Sequence, residues 1–185
     1  MARMAKERHD DTVVHDITVD DSTVDDTAVH ATDRAHLRRA VDLARAALES
    51  GNSPFGSVLV DPGGTVLFED HNRDADGDNT AHPEIAIARW AAQHLSPADR
   101  ASATVYTSGE HCPMCAAAHA AVGLGRIVYA TSSVQLRTWT EEMDLPPGPV
   151  RPLPITEVAP GLDVTGPVAE FADEVRALQR AYRQR

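Results

Sequence analysis

Residues 82–130 read HPEIAIARWAAQHLSPADRASATVYTSGEHCPMCAAAHAAVGLGRIVYA, and this segment predicts two helices and two strands in alternation. Proline favours the first turn of a helix, and Ser96-Pro97 interrupts the apolar pattern that follows Pro83. Apolar and β-branched runs bounded by such breaks predict strands. The predicted elements are a helix from Pro83 to Leu95, a strand Thr104–Thr107, a helix from Pro113 to Gly123 or Gly125, and a strand Arg126–Ala130.

The segment before this stretch predicts a helix and a hairpin. Thr32-Asp33 is typical of a helix cap, and Gly51 of a helix end. Between them, apolar residues recur at helical spacing at Leu37, Ala40, Val41, Ala44 and Leu48. Two short strands follow, Phe55–Asp61 and Thr65–Asp70, joined by the turn Pro62-Gly63-Gly64. A polar loop, His71–Ala81, then leads to the helix at Pro83.

After the last of these strands the pattern weakens. Residues 146–167 are rich in proline and glycine and predict a loop with, at most, one edge strand at Leu153–Val158. A final amphipathic helix is predicted from the spacing of Val168, Phe171, Val175, Leu178 and Tyr182. Strands alternating with helices in this way favour an α/β fold, with a three-layer α/β/α arrangement around one central mixed sheet.

The first 31 residues differ in composition from the rest. Residues 10–31 repeat Asp, Thr and Val and hold no large apolar residue except Ile17. Too little apolar surface is available to offset the entropy of ordering, so residues 1–31 are interpreted as a disordered acidic extension and 32–185 as the folded domain. A valine-rich edge strand is the alternative, because Val and Thr favour strands.

Charge and hydropathy narrow the class of partner. The chain has 185 residues and a net charge of −11, of which residues 1–33 hold −6 and the remainder −5. An acidic body fits poorly with binding to nucleic acid phosphates, so a small molecule is the expected partner. No apolar run is long enough to cross a membrane, and no secretory signal follows Met1. A cytoplasmic location is therefore expected.

Two helix starts hold the residues able to perform chemistry. His82, Cys112 and Cys115 are the candidate metal ligands. A set of one histidine and two cysteines is typical of a catalytic zinc site, in which the fourth position is open to water. Helix N-termini favour the thiolate, the form that binds metal. Bound zinc lowers the pKa of water to ~7, and Glu84, two residues from His82, is the expected proton carrier.

His82-Pro83-Glu84 together with Cys112-Pro113-Met114-Cys115 resembles the H-x-E and P-C-x-x-C signature of the zinc-dependent cytidine deaminase superfamily. The resemblance extends from about residue 34 to residue 131. Its cysteine segment is most similar to the guanine deaminase and tRNA adenosine deaminase branch. It implies a cytidine deaminase-like fold, Zn²⁺ as cofactor and a homodimer whose contact would involve the stripe 168–182 or Trp139. The sequence departs from the family at Pro83, where alanine or valine is common, and at His111, where proline is usual.

By the same resemblance, Phe55 would pack on the face of the substrate ring and Asn72 would hydrogen-bond its edge. The region Ser132–Asp144 would line the pocket, with Trp139, Glu141, Glu142 and Asp144 as candidate contacts. Glu110 and His111, beside the first cysteine, complete the candidate substrate-binding residues. Core packing of Phe55 and a turn role for Asn72 are the structural alternatives.

The expected function is hydrolytic removal of an exocyclic amine, released as ammonia, from a free nucleobase, nucleoside or related heterocycle. Guanine-like purines and aminotriazine or cytosine-like rings are the expected substrates. The alternatives are a tRNA adenosine deaminase and a non-catalytic zinc-binding interaction module. For the cysteines themselves, a redox pair or a closed structural site with His119 and His111 is also possible.

Overall fold

The computed structural model of the protein describes residues 29–185. The helices are α1 (Ala31–Glu49), α2 (Pro83–His94), α3 (Pro97–Ser102), α4 (Pro113–Val122), α5 (Ser133–Glu142), α6 (Ile155–Val158) and α7 (Ala172–Arg183). The strands are β1 (Gly56–Val60), β2 (Val66–His71), β3 (Thr104–Thr107), β4 (Ile127–Tyr129) and β5 (Val164–Thr165). A 3₁₀ turn, Ala169–Phe171, precedes α7. No helix in this described range has the length and apolar character needed to cross a membrane.

The strands form one mixed sheet in the order β2-β1-β3-β4-β5. β1 is antiparallel to β2 and β3, whereas β3, β4 and β5 are parallel. The predicted hairpin, the central strands and the two helices predicted to begin at Pro83 and Pro113 occur within one or two residues of their expected limits, whereas α3 was not predicted. At the end of α4, Gly123 adopts a left-handed conformation (φ 71°), which explains why the helix ends there.

Alternate side chains of the central strands face two different helical layers. Val58, Tyr106 and Val128 pack with side chains of α1, α5 and α7. Leu59 and Val105 pack on the opposite face, mainly with α2 and with residues at the end of α4. Successive strand residues point to opposite faces, so the sheet is buried on both sides. This confirms the predicted three-layer α/β/α architecture with a central mixed sheet.

The folded domain begins earlier than the predicted boundary at residue 32. Val29 is only 7% exposed and belongs to the core, and His30 is the residue that caps α1. Asp33 closes the cap, because its carboxylate accepts a hydrogen bond from the His30 backbone N–H at 3.0 Å. Most of the predicted extension, residues 1–28, lies outside the described residues.

The segment after β4 differs from the prediction in two ways. Leu153–Val158 was expected to supply an edge strand, and this is wrong: the helix α6 starts at Ile155, and the fifth strand is Val164–Thr165. Pro152 and Pro154 lack the N–H that a strand ladder needs, which explains the difference. The helix α5, which was not predicted, is capped by Ser132 and Gln135, each of which hydrogen-bonds the other's backbone N–H.

The residues proposed for a homodimer contact are used inside this chain. Phe171, Val175 and Leu178 are each at most 5% exposed, and Trp139 is 8% exposed. All four belong to the core cluster formed with α1. Their apolar spacing therefore records packing within the domain. The large apolar side chains that stay exposed among residues 29–185 are Val66, Met114 and Val150.

Gly56 allows α1 to lie directly on β1. A Cβ atom at this position would lie 2.4 Å from Leu43 Cβ and 2.5 Å from the Ala40 carbonyl oxygen. We expect Gly56→Ala to lower the free energy of unfolding by about 3 kcal/mol, the upper part of the range for overpacked cores, because a helix backbone cannot move aside locally. Urea denaturation measures this change. Gly161→Ala is the matched control, since its Cβ would meet nothing within 4 Å; equal stability of both variants would contradict the close packing.

Candidate active site

Three potential metal ligands converge where α2 and α4 begin. His82 immediately precedes α2, Cys112 immediately precedes α4, and Cys115 lies in the first turn of α4. The distance from Cys112 Sγ to His82 Nδ1 is 3.7 Å, that between the two sulfurs is 3.5 Å, and that from Cys115 Sγ to His82 Nδ1 is 3.4 Å. Among residues 29–185, these side chains are the group of His, Cys, Asp or Glu whose atoms are placed to hold one metal ion.

These separations fit a tetrahedral zinc ion. Zinc lies ~2.3 Å from cysteine sulfur and ~2.0–2.1 Å from histidine nitrogen, so tetrahedral angles place two sulfurs ~3.8 Å apart and a sulfur and a nitrogen ~3.5 Å apart. The observed distances agree with these values to within about 0.3 Å. Three protein ligands leave one position for water, which is typical of a catalytic zinc site.

The electrostatics of the three side chains favour a cation. A hydrogen bond from Cys115, together with the His82 ring, lowers the pKa of Cys112 to about 4 against the effect of burial. The Cys112 sulfur in turn raises the pKa of His82, and its hydrogen bond with Cys115 raises the pKa of the Cys115 thiol. Cys112 is therefore a thiolate at neutral pH, as expected at a helix N-terminus, and is ready to bind a metal ion.

Glu84 lies beside these ligands in the first turn of α2 and is only 5% exposed. Its Oε1 lies 2.9 Å from Ser57 Oγ and 3.1 Å from Thr107 Oγ1, two buried hydroxyls at the sheet. Its Oε2 lies 3.4 Å from Cys115 Sγ. A buried carboxylate is costly unless it accepts hydrogen bonds. The hydroxyls meet that need on one oxygen and leave the other directed toward the ligand group.

A cavity of about 130 Å³ opens next to Glu84 and His82. A single water molecule needs only ~10–15 Å³ on this scale, so the space is large enough for a larger ligand. The wall is mostly apolar, with a few polar groups. Besides His82 and Glu84 it is lined by Phe55, Gly109, Glu110, Cys112, Pro113, Thr131, Ser132, Ser133, Leu136, Val150, Pro152, Leu153 and Gln179.

Two of the predicted substrate-binding residues line this cavity. The Phe55 ring lies against the backbone of Gly109, where an added Cβ would be 2.9 Å from Phe55 Cε1. Glu110 uses both carboxylate oxygens within the protein, accepting hydrogen bonds of 2.8 Å from the backbone N–H groups of Ser133 and Ile155. This arrangement favours Glu110 as the residue that positions the cavity wall, because its acceptors already have donors.

The other predicted substrate-binding residues lie outside the cavity lining. Asn72 is 1% exposed, and its Nδ2 lies 3.4 Å from Asp74 Oδ2. His111 is 1% exposed and packs edge-on against His119, with ring centroids 5.4 Å apart. Trp139 is part of the core, and Asp144 is an exposed turn residue with φ 53°. Of the region Ser132–Asp144, the lining takes only Ser132, Ser133 and Leu136.

The closed structural metal site considered from the sequence does not form. His119 Nε2 donates to the Gly125 carbonyl oxygen at 2.8 Å, and neither ring nitrogen of His111 has a partner among the described residues. Burial lowers the pKa of both imidazoles. The cysteines share their site with His82, so the redox-pair interpretation also loses its support.

Comparison with known proteins agrees with this geometry. The family described as "Cytidine and deoxycytidylate deaminase zinc-binding region" matches residues 30–131, more than half of the chain. The chain belongs to this deaminase family. Its zinc cofactor and its cytidine deaminase-like fold follow from that membership together with the ligand geometry.

Individual relatives of this deaminase differ in substrate. A probable cytosine deaminase of Schizosaccharomyces pombe is 31% identical over 140 residues, which cover 75% of this chain and 85% of the relative. A tRNA-specific adenosine deaminase of Haemophilus influenzae is 34% identical over 101 residues, 54% of this chain and 58% of the relative. The solved guanine deaminase of Nitrosomonas europaea has a TM-score of 0.66 and 26% identity, with 85% of this chain and 87% of that one covered.

Several site residues of the deaminase were not predicted from the sequence. Ser57 carried a signal, because it is the polar residue within the otherwise apolar strand GSVLV. Gln179 lies on the buried face of α7 next to apolar residues, and its position in the sequence carries no separate signal. Val150, Pro152 and Leu153 lie in the proline-rich segment, which has no periodicity to indicate which side faces the cavity.

We expect about one zinc ion per chain in the purified deaminase, and its loss on Cys112→Ala, Cys115→Ala or His82→Ala, because each change removes a ligand. Metal analysis after gel filtration measures this. His119→Ala is the control and should retain zinc, since its imidazole bonds Gly125 instead. An empty site in His119→Ala together with a full site in His82→Ala would overturn the ligand assignment.

Glu110→Gln should loosen the cavity wall without removing zinc. The amide nitrogen of glutamine cannot accept a hydrogen bond, so the N–H of Ser133 or of Ile155 loses its acceptor. Leaving one such group unpaired costs about 1–3 kcal/mol. Hydrogen exchange should accelerate at one of these two backbone amides, and zinc content should stay unchanged. Unaltered protection of both amides would contradict the positioning role.

Proposed function

We propose that this protein is a hydrolytic deaminase that removes an exocyclic amine from a free nucleobase, nucleoside or related heterocycle and releases ammonia. The observation that carries the proposal is the position of Glu84, whose second oxygen, Oε2, lies 3.4 Å from Cys115 Sγ, beside the metal ligands and next to a mostly apolar cavity. Guanine-like purines and aminotriazine or cytosine-like rings are the substrates we propose to test first.

The overall reaction exchanges the amine for an oxygen atom: the ring C–NH₂ and one water give the ring C=O and NH₃. Zinc held by His82, Cys112 and Cys115 would supply the Lewis acidity that lowers the pKa of a water molecule to ~7. Glu84 then acts as the general base and acid. It accepts a water proton and delivers it to a ring nitrogen, and it then accepts the proton of the new C–OH group and delivers it to the departing amine, which is a poor leaving group until it is charged.

Ser57 and Thr107 hold Glu84 in place for this work. Both hydroxyls lie within 3.1 Å of Oε1, and they also lie 2.9 Å from each other. These contacts fix the rotamer of the carboxylate and leave Oε2 as the oxygen that exchanges protons. Phe55 supplies an apolar surface against which a planar ring can stack.

A small planar substrate suits the cavity better than a macromolecule. Its wall is formed mainly by Phe55, Leu136, Val150, Pro152 and Leu153, which shield the ring from water. Related solved structures contain 8-azaguanine and 2,6-diaminopurine, two such heterocycles. The net charge outside residues 1–33 is −5, which disfavours phosphate-driven binding.

Deamination of tRNA is the second candidate, because the Haemophilus influenzae relative carries that name. It requires a basic path for the nucleic acid at the mouth of the cavity. A non-catalytic zinc module is a third candidate, and the hydrogen-bonded Glu84 favours catalysis over it. A homodimer is part of our proposal by family resemblance. A monomer in light scattering at micromolar concentration, fully active, would refute that part.

Glu84→Gln tests the mechanism. It preserves shape but cannot accept a proton, so we expect kcat to fall by roughly 10²–10⁴-fold or more while zinc content stays the same. The measurement is ammonia release with the best base of the panel. The matched control is Glu49→Gln, an exposed carboxylate at the end of α1, which should behave as wild type. Turnover retained in Glu84→Gln would sink the mechanism.

Ammonia release from free bases, nucleosides and aminotriazines, compared with tRNA, tests the substrate class. We expect turnover of at least one free heterocycle. We expect only background activity with tRNA, without recovery at low salt, the condition that strengthens phosphate-driven binding. Robust inosine formation in tRNA would show instead that the second candidate is right.

A further inference from the structure

Gln179 is a buried amide whose presence at the cavity the proposed chemistry does not explain. It lies on α7, is 1% exposed, and is the residue through which the C-terminal helix reaches the cavity lining. Burying a side-chain amide costs free energy unless its nitrogen and its oxygen find hydrogen-bond partners. The two ends of the amide therefore need to be accounted for separately.

The protein occupies only one end of this amide. Nε2 donates to the Pro54 carbonyl oxygen at 3.3 Å. Since a carbonyl oxygen can only accept, this bond fixes which end of the amide is nitrogen. No described residue donates to Oε1, and this atom is not among the fully enclosed side-chain atoms that lack a partner. Since Gln179 lines the cavity, Oε1 is an acceptor that a ligand in the cavity can reach.

Most of the other polar side chains of the wall already have a hydrogen-bond partner within the protein. Glu110 accepts from two backbone N–H groups, and Thr131 Oγ1 donates to the Ser108 carbonyl oxygen at 2.9 Å. Ser132 Oγ accepts from the Gln135 N–H. Ser133 Oγ has no partner, but a hydroxyl both donates and accepts and so does not select one kind of ligand atom. Gln179 Oε1 is acceptor only.

We propose that Gln179 is a substrate-binding residue whose Oε1 accepts a hydrogen bond from an N–H group of the ring, so that the enzyme selects heterocycles with an N–H donor. The inference rests on the proposed function and narrows its substrate class. In an apolar wall, a missing donor leaves the amide oxygen unpaired, and such sites discriminate strongly against analogues that lack the group. The hydrogen bond to Pro54 also holds the amide close to Phe55, the next residue in the chain, which lines the same cavity.

The test pairs a residue change with a ligand change. Zinc-loaded Glu84→Gln protein, in which the base stays intact, is titrated by calorimetry with the best base of the panel and with analogues that each lack one N–H, replaced by C–H or N–CH₃. The same titrations are made with Gln179→Leu, Gln179→Met and Gln179→Glu added. Gln184→Leu, on an exposed glutamine just beyond α7, is the matched control. Wild-type and Gln179 variants with Glu84 intact are assayed in parallel for ammonia.

One analogue should bind the Gln179 protein at least ten-fold more weakly than the parent base, whereas the Leu and Met variants should bind both about equally. Gln179→Glu keeps an acceptor and should retain most of the preference, although it also loses the bond to Pro54. A purely structural role would lower affinity for parent and analogue alike, and this parallel loss would refute the proposal. So would unchanged binding in all three variants.

The binding data separate this inference from the proposed function. If bases bind with the expected Gln179 preference but wild-type protein releases no ammonia, the proposed activity fails and the binding role stands. If wild-type protein releases ammonia and the variants lose nothing selectively, the activity stands and the binding role fails. If no base binds to the zinc-loaded protein, both are overturned. Leu and Met have different shapes, so misfolding of one still leaves the other to decide.

Discussion

The packing of α2 against α4 is the constraint on which the site depends. Each helix begins beside the cavity, and the residue before each first turn is a ligand, His82 in one and Cys112 in the other. The pairing puts nitrogen and sulfur 3.7 Å apart although they are thirty residues apart in the chain. Small side chains in α4, mostly alanine, permit this close approach. A zinc ion held between the helices would in turn tie the two together.

The burial of Glu84 connects the sheet to the chemistry. A carboxylate that is 5% exposed needs acceptor contacts, and β1 and β3 provide two hydroxyls from inside strands that are otherwise apolar. These polar residues weaken the core slightly, because they replace apolar packing. They make the orientation of the carboxylate unique, which is what a proton carrier serving several steps requires.

The cavity wall comes from segments that are distant in the sequence. The loop before β1 brings Phe55, α5 brings Leu136, the proline-rich segment brings Leu153, and α7 brings Gln179. Glu110, in the loop before α4, connects this loop to α5 and α6, because its oxygens accept hydrogen bonds from the first N–H group of each of these helices. The metal ligands and Glu84 therefore come from the starts of α2 and α4, whereas most of the cavity wall comes from segments elsewhere in the chain.

The sequence by itself determined the metal ligands, Glu84 as the candidate proton carrier, and the order of most elements, because these depend on short spacings and on local helix and strand patterns. The composition of the cavity wall can be read only from the tertiary structure. Trp139 lies in the core, Asp144 lies on the surface, and His111 packs against His119. Gln179, from α7, lines the cavity. The tertiary structure also placed the helix α6, Ile155–Val158, where an edge strand Leu153–Val158 is predicted from the sequence. The physical reason is that periodicity reports which face of a helix is buried. What that face is buried against depends on contacts between segments that are far apart in the chain.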